Sequence, residues 1–228
     1  MKFSALKLTA LALVASLLTG CGGGRTASYR VRMTVEVQTP EGLETGSSVI
    51  EIRLTRGMAI GDSSGVSSSV RGEAVVVNLP DGPLFVLLQV PDAGAPLQTI
   101  VPEALLGRPS SGPDQVMADT AKLGSTWFSG YKADLPRTHY NRFQSNNDGW
   151  PIMVRFRDLN DPKSMSRVDP DAVGVKRILL ETTRDGVTTG IEKRIPWVDH
   201  LDQYLADRGN PFTSTLPENF GGFRSGAR

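Results

Sequence analysis

"YRVRMTVEVQT", residues 29–39, decides how this chain folds. Tyr29, Val31, Met33, Val35 and Val37 alternate with Arg30, Arg32, Thr34, Glu36 and Gln38. Successive side chains of a strand point to opposite faces, so this period of two predicts a strand with one dry face and one wet face. "SVIEIRLTR", residues 48–56, repeats the pattern, with Ile50, Ile52 and Leu54 inward and Glu51, Arg53 and Thr55 outward. The intervening "PEGLETG", residues 40–46, carries turn residues, and the whole reads as a hairpin. Glu36 and Arg53 both fall on the wet face, where a solvated charge pair across the strands is expected.

The pattern continues downstream. "GEAVVVNL" (72–79) and "PLFVLLQV" (83–90) read as two more strands joined by Pro80-Asp81-Gly82-Pro83. The second is nearly all apolar, which predicts burial on both faces. "DQVMADTAKLG" predicts a helix from Asp114 to near Gly124. "WPIMVRFRDL" (150–159) alternates again, with Ile152, Val154 and Phe156 on one face. "GVKRILLETTR" (174–184) and "TTGIEKRI" (188–195) read as the last strands. "PWVDHLDQYLADRG" (196–209) has Pro196 at a helix start and Gly209 past its end. The expected fold is mainly β within the α+β class: an antiparallel sheet or sandwich with two or three short helices.

Upstream of the hairpin, Lys2 and Lys7 precede an almost wholly apolar run from Leu8 to Leu18. That length suits a signal-peptide core and is too short to span a bilayer. The run ends in Leu18-Thr19-Gly20-Cys21, which holds the one cysteine of the 228 residues. This tetrad resembles the lipobox of bacterial lipoproteins. The resemblance implies cleavage before Cys21, a diacylglyceryl group on its thiol and further acylation, such as palmitate, on the new amino terminus. Lipidation would also remove an odd free thiol, a liability in an oxidising compartment. Gly22, where an Asp would retain a lipoprotein in the inner membrane, points to the outer membrane and the periplasm. The expected organisation is a signal peptide over 1–20, a lipidated tether over 21–28, one β-rich domain over 29–209 and a flexible tail over 210–228.

The chain has 25 Lys and Arg and 24 Asp and Glu. Without Lys2 and Lys7 the basic count is 23, a side-chain net charge of about −1. That balance argues against a nucleic-acid partner, which would require a basic surplus for phosphates. The expected partners are the membrane, through the anchor, and an envelope protein or a glycan.

Several short motifs resemble catalytic ones and fail on their surroundings. "GDSSG", Gly61 to Gly65, resembles the nucleophile motif of chymotrypsin-like proteases, whose His precedes the Ser. Here His139 and His200 both follow Ser63. The flanking "VSSSVRG" reads as a loose connection. "SGYK" (129–132) and "SNN" (145–147) fit two motifs of penicillin-binding proteins, but no Lys-Thr-Gly-like strand accompanies them. "QSNNDG" (144–149) has Gln144 where a calcium loop starts with an acid, and Arg155 at its twelfth position. Two His and a lipidated Cys leave no three-ligand zinc set without carboxylates, so no metal or other cofactor is expected. Asp158, Asp161, Asp169 and Asp171 lie among Pro and Asn, as turn and cap residues do. No catalytic residue is assigned.

The stretch with most to offer is "WFSGYKADLPRTHYNRFQSNNDGW", Trp127 to Trp150, with six of the fifteen aromatic residues. Regular periodicity is weak there, and long connections of this kind carry function. Trp127, Tyr131, His139, Tyr140, Arg142 and Trp150 form the candidate surface for a ligand or partner. The competing reading is that these rings fill a satellite core under a long loop. The leading function is a membrane-anchored envelope lipoprotein used for binding or assembly. The alternative is an envelope hydrolase acting on glycan or peptide, with His139 and Asp148 beside an aromatic cleft. Asp158 to Trp197 is similar to the C-terminal part of a group of bacterial envelope proteins of uncharacterised role, a likeness that implies no activity.

Overall fold

A computed structural model describes residues 25–58, 65–90, 97–125, 130–141, 144–148, 150–200 and 224–225. The signal stretch, Cys21, Ser63 and Trp127 lie outside the described residues. The chain is an α+β protein dominated by antiparallel sheet. β1 (Thr26–Thr39) and β2 (Gly42–Arg56) form a hairpin whose turn is only Pro40-Glu41. The turn is therefore shorter than the stretch 40–46 that its composition predicts, because Leu43, Glu44 and Thr45 take up strand pairing opposite Gln38, Val37 and Glu36. Around this hairpin stand β3 (Val66–Glu73), β11 (Val175–Thr182), β6 (Lys132–Asp134) and a two-residue β12 (Arg224–Ser225), in the order β12-β3-β2-β1-β11-β6. A second sheet orders β10 (Met165–Arg167), β9 (Met153–Phe156), β5 (Leu84–Val86) and β4 (Val75–Val77).

Alternation in β1 does what its period predicts. Tyr29, Val31, Met33, Val35 and Val37 are all buried. They join Ile50, Ile52 and Leu54 of β2, with Ile178 and Leu180 of β11, in a first core. The helix α1 (Leu97–Leu106) contributes Leu97, Ile100, Val101 and Leu105, and α2 (Pro113–Ser125) contributes Leu123. Leu84 and Val86 of β5 face this core, whereas Phe85 and Leu87 face a second one. Residues 84–88 of this apolar run are thus buried on both faces because the second sheet is a middle layer. Ile191, Ile195, Trp197 and Val198 close the second core from the far side. There Phe156 stands edge-on to Phe85 at 5.4 Å and tilted against Trp197 at 5.5 Å.

The chain passes between sheets at Gly72-Glu73. Gly72 has φ +145°, and a Cβ there would press on Ile50 Cγ2 at 2.8 Å, so only glycine makes this turn freely. Glu73 is buried. Its carbonyl accepts from Ser48 Oγ at 2.7 Å and its carboxylate accepts from the Ile191 N–H at 2.9 Å. One side chain thereby ties the first sheet to the segment that closes the second core. β4 then crosses β2 so closely that a Cβ on Gly46 would collide with the Val76 carbonyl.

Several sequence expectations are corrected. "VSSSVRG" is strand β3 and not a loose connection. Residues 188–195 are not a strand. Gly190 takes a left-handed φ of 113°, and Ile191–Lys193 forms a 3-10 turn, so Ile191 and Ile195 bury together at helical spacing. Pro196–His200 is a 3-10 turn, and its continuation from Leu201 lies outside the described residues. Thr26, Ala27 and Ser28, assigned to the tether, already pair with β2. Arg224 and Ser225, assigned to the tail, pair with β3. Glu36 does not meet Arg53. It stands opposite Arg177 of β11, whose guanidinium makes two bonds to it at 2.8 and 2.9 Å. Arg53 turns instead to Glu51 at 2.8 Å.

Candidate functional site

The stretch from Trp127 to Trp150 divides into a structural base and a separate two-stranded hairpin. Tyr131 is half-buried against the first core, with the Lys122 ammonium 5.9 Å from its ring centre and its own N–H donating to Thr182 Oγ1 at 2.8 Å. Trp150 is buried, and its indole N–H donates to the Leu135 carbonyl at 2.8 Å. The Arg137 guanidinium lies 5.3 Å from the Trp150 ring. Trp150 is therefore a core residue with one cation on its face, and no exposed recognition ring. Between Arg137 and Trp150 the chain forms its own hairpin, β7 (Thr138–Asn141) and β8 (Gln144–Asp148), which joins neither larger sheet. His139 and Tyr140 are on β7; Arg142 lies outside the described residues. In the hairpin register His139 stands opposite Asn147 and Thr138 opposite Asp148, so His139 and Asp148 are one rung apart.

Arg137 also connects this hairpin to a groove that sequence reading missed. Its guanidinium bonds Asp171, whose carboxyl is held below the usual carboxylate range by that hydrogen bond. Asp171 lines a groove of about 480 Å³ at the turn end of the β1–β2 hairpin. Three turns wall it: Pro40-Glu41, Pro80-Asp81, and the Asp171–Gly174 turn. The first and last are joined by Gln38 N–H to the Gly174 carbonyl at 2.9 Å. Arg155 of β9 lines the groove as well and grips Asp81 with both Nη atoms, one of them at 2.9 Å. This bidentate bond lowers the Asp81 pKa from its ordinary value. The Arg155 Nε is buried with no hydrogen-bond partner.

Arg155 pairs with Asp81 and Arg137 with Asp171, so with Glu41 the three acids and two arginines leave the groove a net charge of −1. Leu43, 53% exposed, sits beside it in the strand rung opposite Gln38. An acidic cleft with an apolar residue at its rim matches a basic, partly apolar segment of a partner. A signal for it does exist in the sequence. Each wall carries a proline followed by an acid: Pro40-Glu41, Pro80-Asp81 and Pro170-Asp171. Among the described residues, no group of three or more His, Cys, Asp or Glu is placed to hold a metal ion. Nor is any helix among them long and apolar enough to cross a membrane. Comparison with known proteins returned nothing: no family model, no curated protein and no solved structure matches the chain.

Proposed function

We propose that this protein is a lipid-anchored lipoprotein of the bacterial cell envelope, held through Cys21, that binds or assembles with an envelope partner at the groove. One observation carries the reading. The lipobox stands immediately ahead of the domain, and the groove lies at the opposite end of β1. β1 has 14 residues. At about 3.3 Å per residue, the strand separates its two ends by about 45 Å. An anchor at one end and an acidic cleft at the other suit a molecule that presents a site away from the membrane.

The test has two parts. Wild-type protein is expected to incorporate labelled palmitate and to fractionate with membranes, and Cys21→Ser to do neither. A Cys21→Ser variant that still carried label would refute the anchor. Affinity purification from crosslinked envelopes is expected to recover a partner with wild type. Glu41→Arg should weaken that recovery at least about tenfold, since a like charge set against a basic partner costs about 1.4 kcal/mol or more. Unchanged recovery would remove the groove from the interface.

A further inference from the structure

The two large hydrophobic residues that stand exposed among the described residues lie at opposite ends of the β1–β2 hairpin. Leu43 is at the groove, and Met58, 83% exposed, follows the other end of β2. Around Met58 the surface is basic. Arg25 is exposed and its carbonyl accepts from the Arg56 N–H at 2.8 Å. The Arg56 guanidinium is partly exposed and bonds Asp114 at the start of α2. A cavity of about 240 Å³ opens here, lined by both arginines, Asp114 and the small or flexible side chains Met117, Ala118 and Ala121. Three groups thus face outward with a net charge of +1, beside one apolar side chain.

Chain length settles what can lie opposite this end. Only residues 22–25 separate Cys21 from the first residue of β1. Five Cα steps at no more than about 3.6 Å reach about 18 Å, less than half the length of the strand that follows. Resting on the lipid-anchor reading, we infer that the end carrying Arg25, Arg56 and Met58 lies on the bilayer that holds the Cys21 acyl chains. Met58 enters the interfacial layer, and the two arginines meet lipid phosphates. A thioether side chain in the headgroup region gains burial, and a guanidinium binds phosphate through paired N–H donors. The acyl chains hold the protein on the membrane, and these contacts set its orientation.

Full-length lipidated protein, reconstituted in phosphatidylcholine–phosphatidylglycerol vesicles, tests this placement. Lipidated Cys21 has no free thiol, so Met58→Cys and Glu41→Cys each carry one reactive site for an environment-sensitive fluorophore. Flotation with the vesicles comes first. The label at 58 should then be quenched several-fold more by nitroxide-bearing lipids than the label at 41, and aqueous iodide should reverse that order. Floating protein with equal lipid quenching at both sites would overturn the orientation while leaving the anchor intact. A label at 58 shielded from both quenchers would show that protein covers this end, and would overturn it equally. Protein that fails to float and keeps a reactive Cys21 thiol would remove the anchor reading, and this placement with it.

Discussion

The two hydrophobic cores are built by different means. The first is lined by long strands: β1 and β2 supply residues at every second position, β11 adds Val175, Ile178 and Leu180 across a bulge, and α1 and α2 contribute as well. The second has short pieces: β5, β9 and β10 with Ala74, and two 3-10 turns around Ile191 and Trp197. Strand residues in the first core are held in place by neighbours on both sides through backbone ladders. The closing segment of the second core has tertiary contacts instead: the Glu73 carboxylate, the Trp197 indole N–H on the Leu159 carbonyl at 2.9 Å, and apolar packing. The difference predicts that the one middle sheet serves two cores of unequal local stability.

The largest test of that contrast is Phe85→Ala. The ring is fully buried in the second core, and truncation should cost about 3–5 kcal/mol. Amide hydrogen exchange should show protection lost first around Ile191–Val198, while β1 and β2 open only with the whole molecule. Equal loss in both regions would mean that the cores form one cooperative unit. Glu73→Ala comes next, at about 2–3 kcal/mol, because it leaves the buried Ile191 N–H without its acceptor. Glu73→Gln keeps an acceptor and should recover most of that loss in denaturant titration; no recovery would show that charge, not the bond, matters there.

The smallest effect belongs to the first core. The Tyr29 hydroxyl is buried with no hydrogen-bond partner, so Tyr29→Phe should be neutral or stabilising by up to about 1 kcal/mol. Burial pushes the Tyr29 pKa well up. A raised folded-state pKa contributes stability below the unfolded value, near 10, and loses it as pH rises beyond. Wild type should therefore lose melting temperature above about pH 10 more steeply than Tyr29→Phe. Parallel alkaline profiles would place the sensitivity elsewhere.

Legibility follows the same division. Alternation is a local signal, so the hairpin and the inward set from Tyr29 to Leu54 could be read directly. The double burial of 84–88 was legible too, since five consecutive apolar residues leave no wet side. α1 was not, because Pro102 inside it reads as a helix breaker although Leu97, Ile100, Val101 and Leu105 keep helical spacing. Residues 188–195 misled because Ile191 and Ile195 sit in a segment rich in strand formers, and Gly190 turns it. Of the aromatic stretch, Trp150 belongs to the first core itself rather than to a satellite of it, with its indole N–H on the Leu135 carbonyl. The groove needs three turns from two sheets to end at one level. Each Pro–acid pair alone reads as an ordinary turn, and nothing local says that they meet.

The edges of both sheets have a consequence for life at high density. β6, β4 and β10 each have three residues and β12 has two, so the long strands stand inside their sheets. Beyond the rungs that β12 covers, β3 presents Ser67, Ser68 and Ser69, and Gln98 of α1 bonds the Ser68 hydroxyl at 3.1 Å. Short or polar edges offer a poor template for strand addition by a neighbour. If the proposed anchor confines molecules to two dimensions, they meet edge to edge far more often than in dilute solution, and these edges would let them pass without zipping into aggregates.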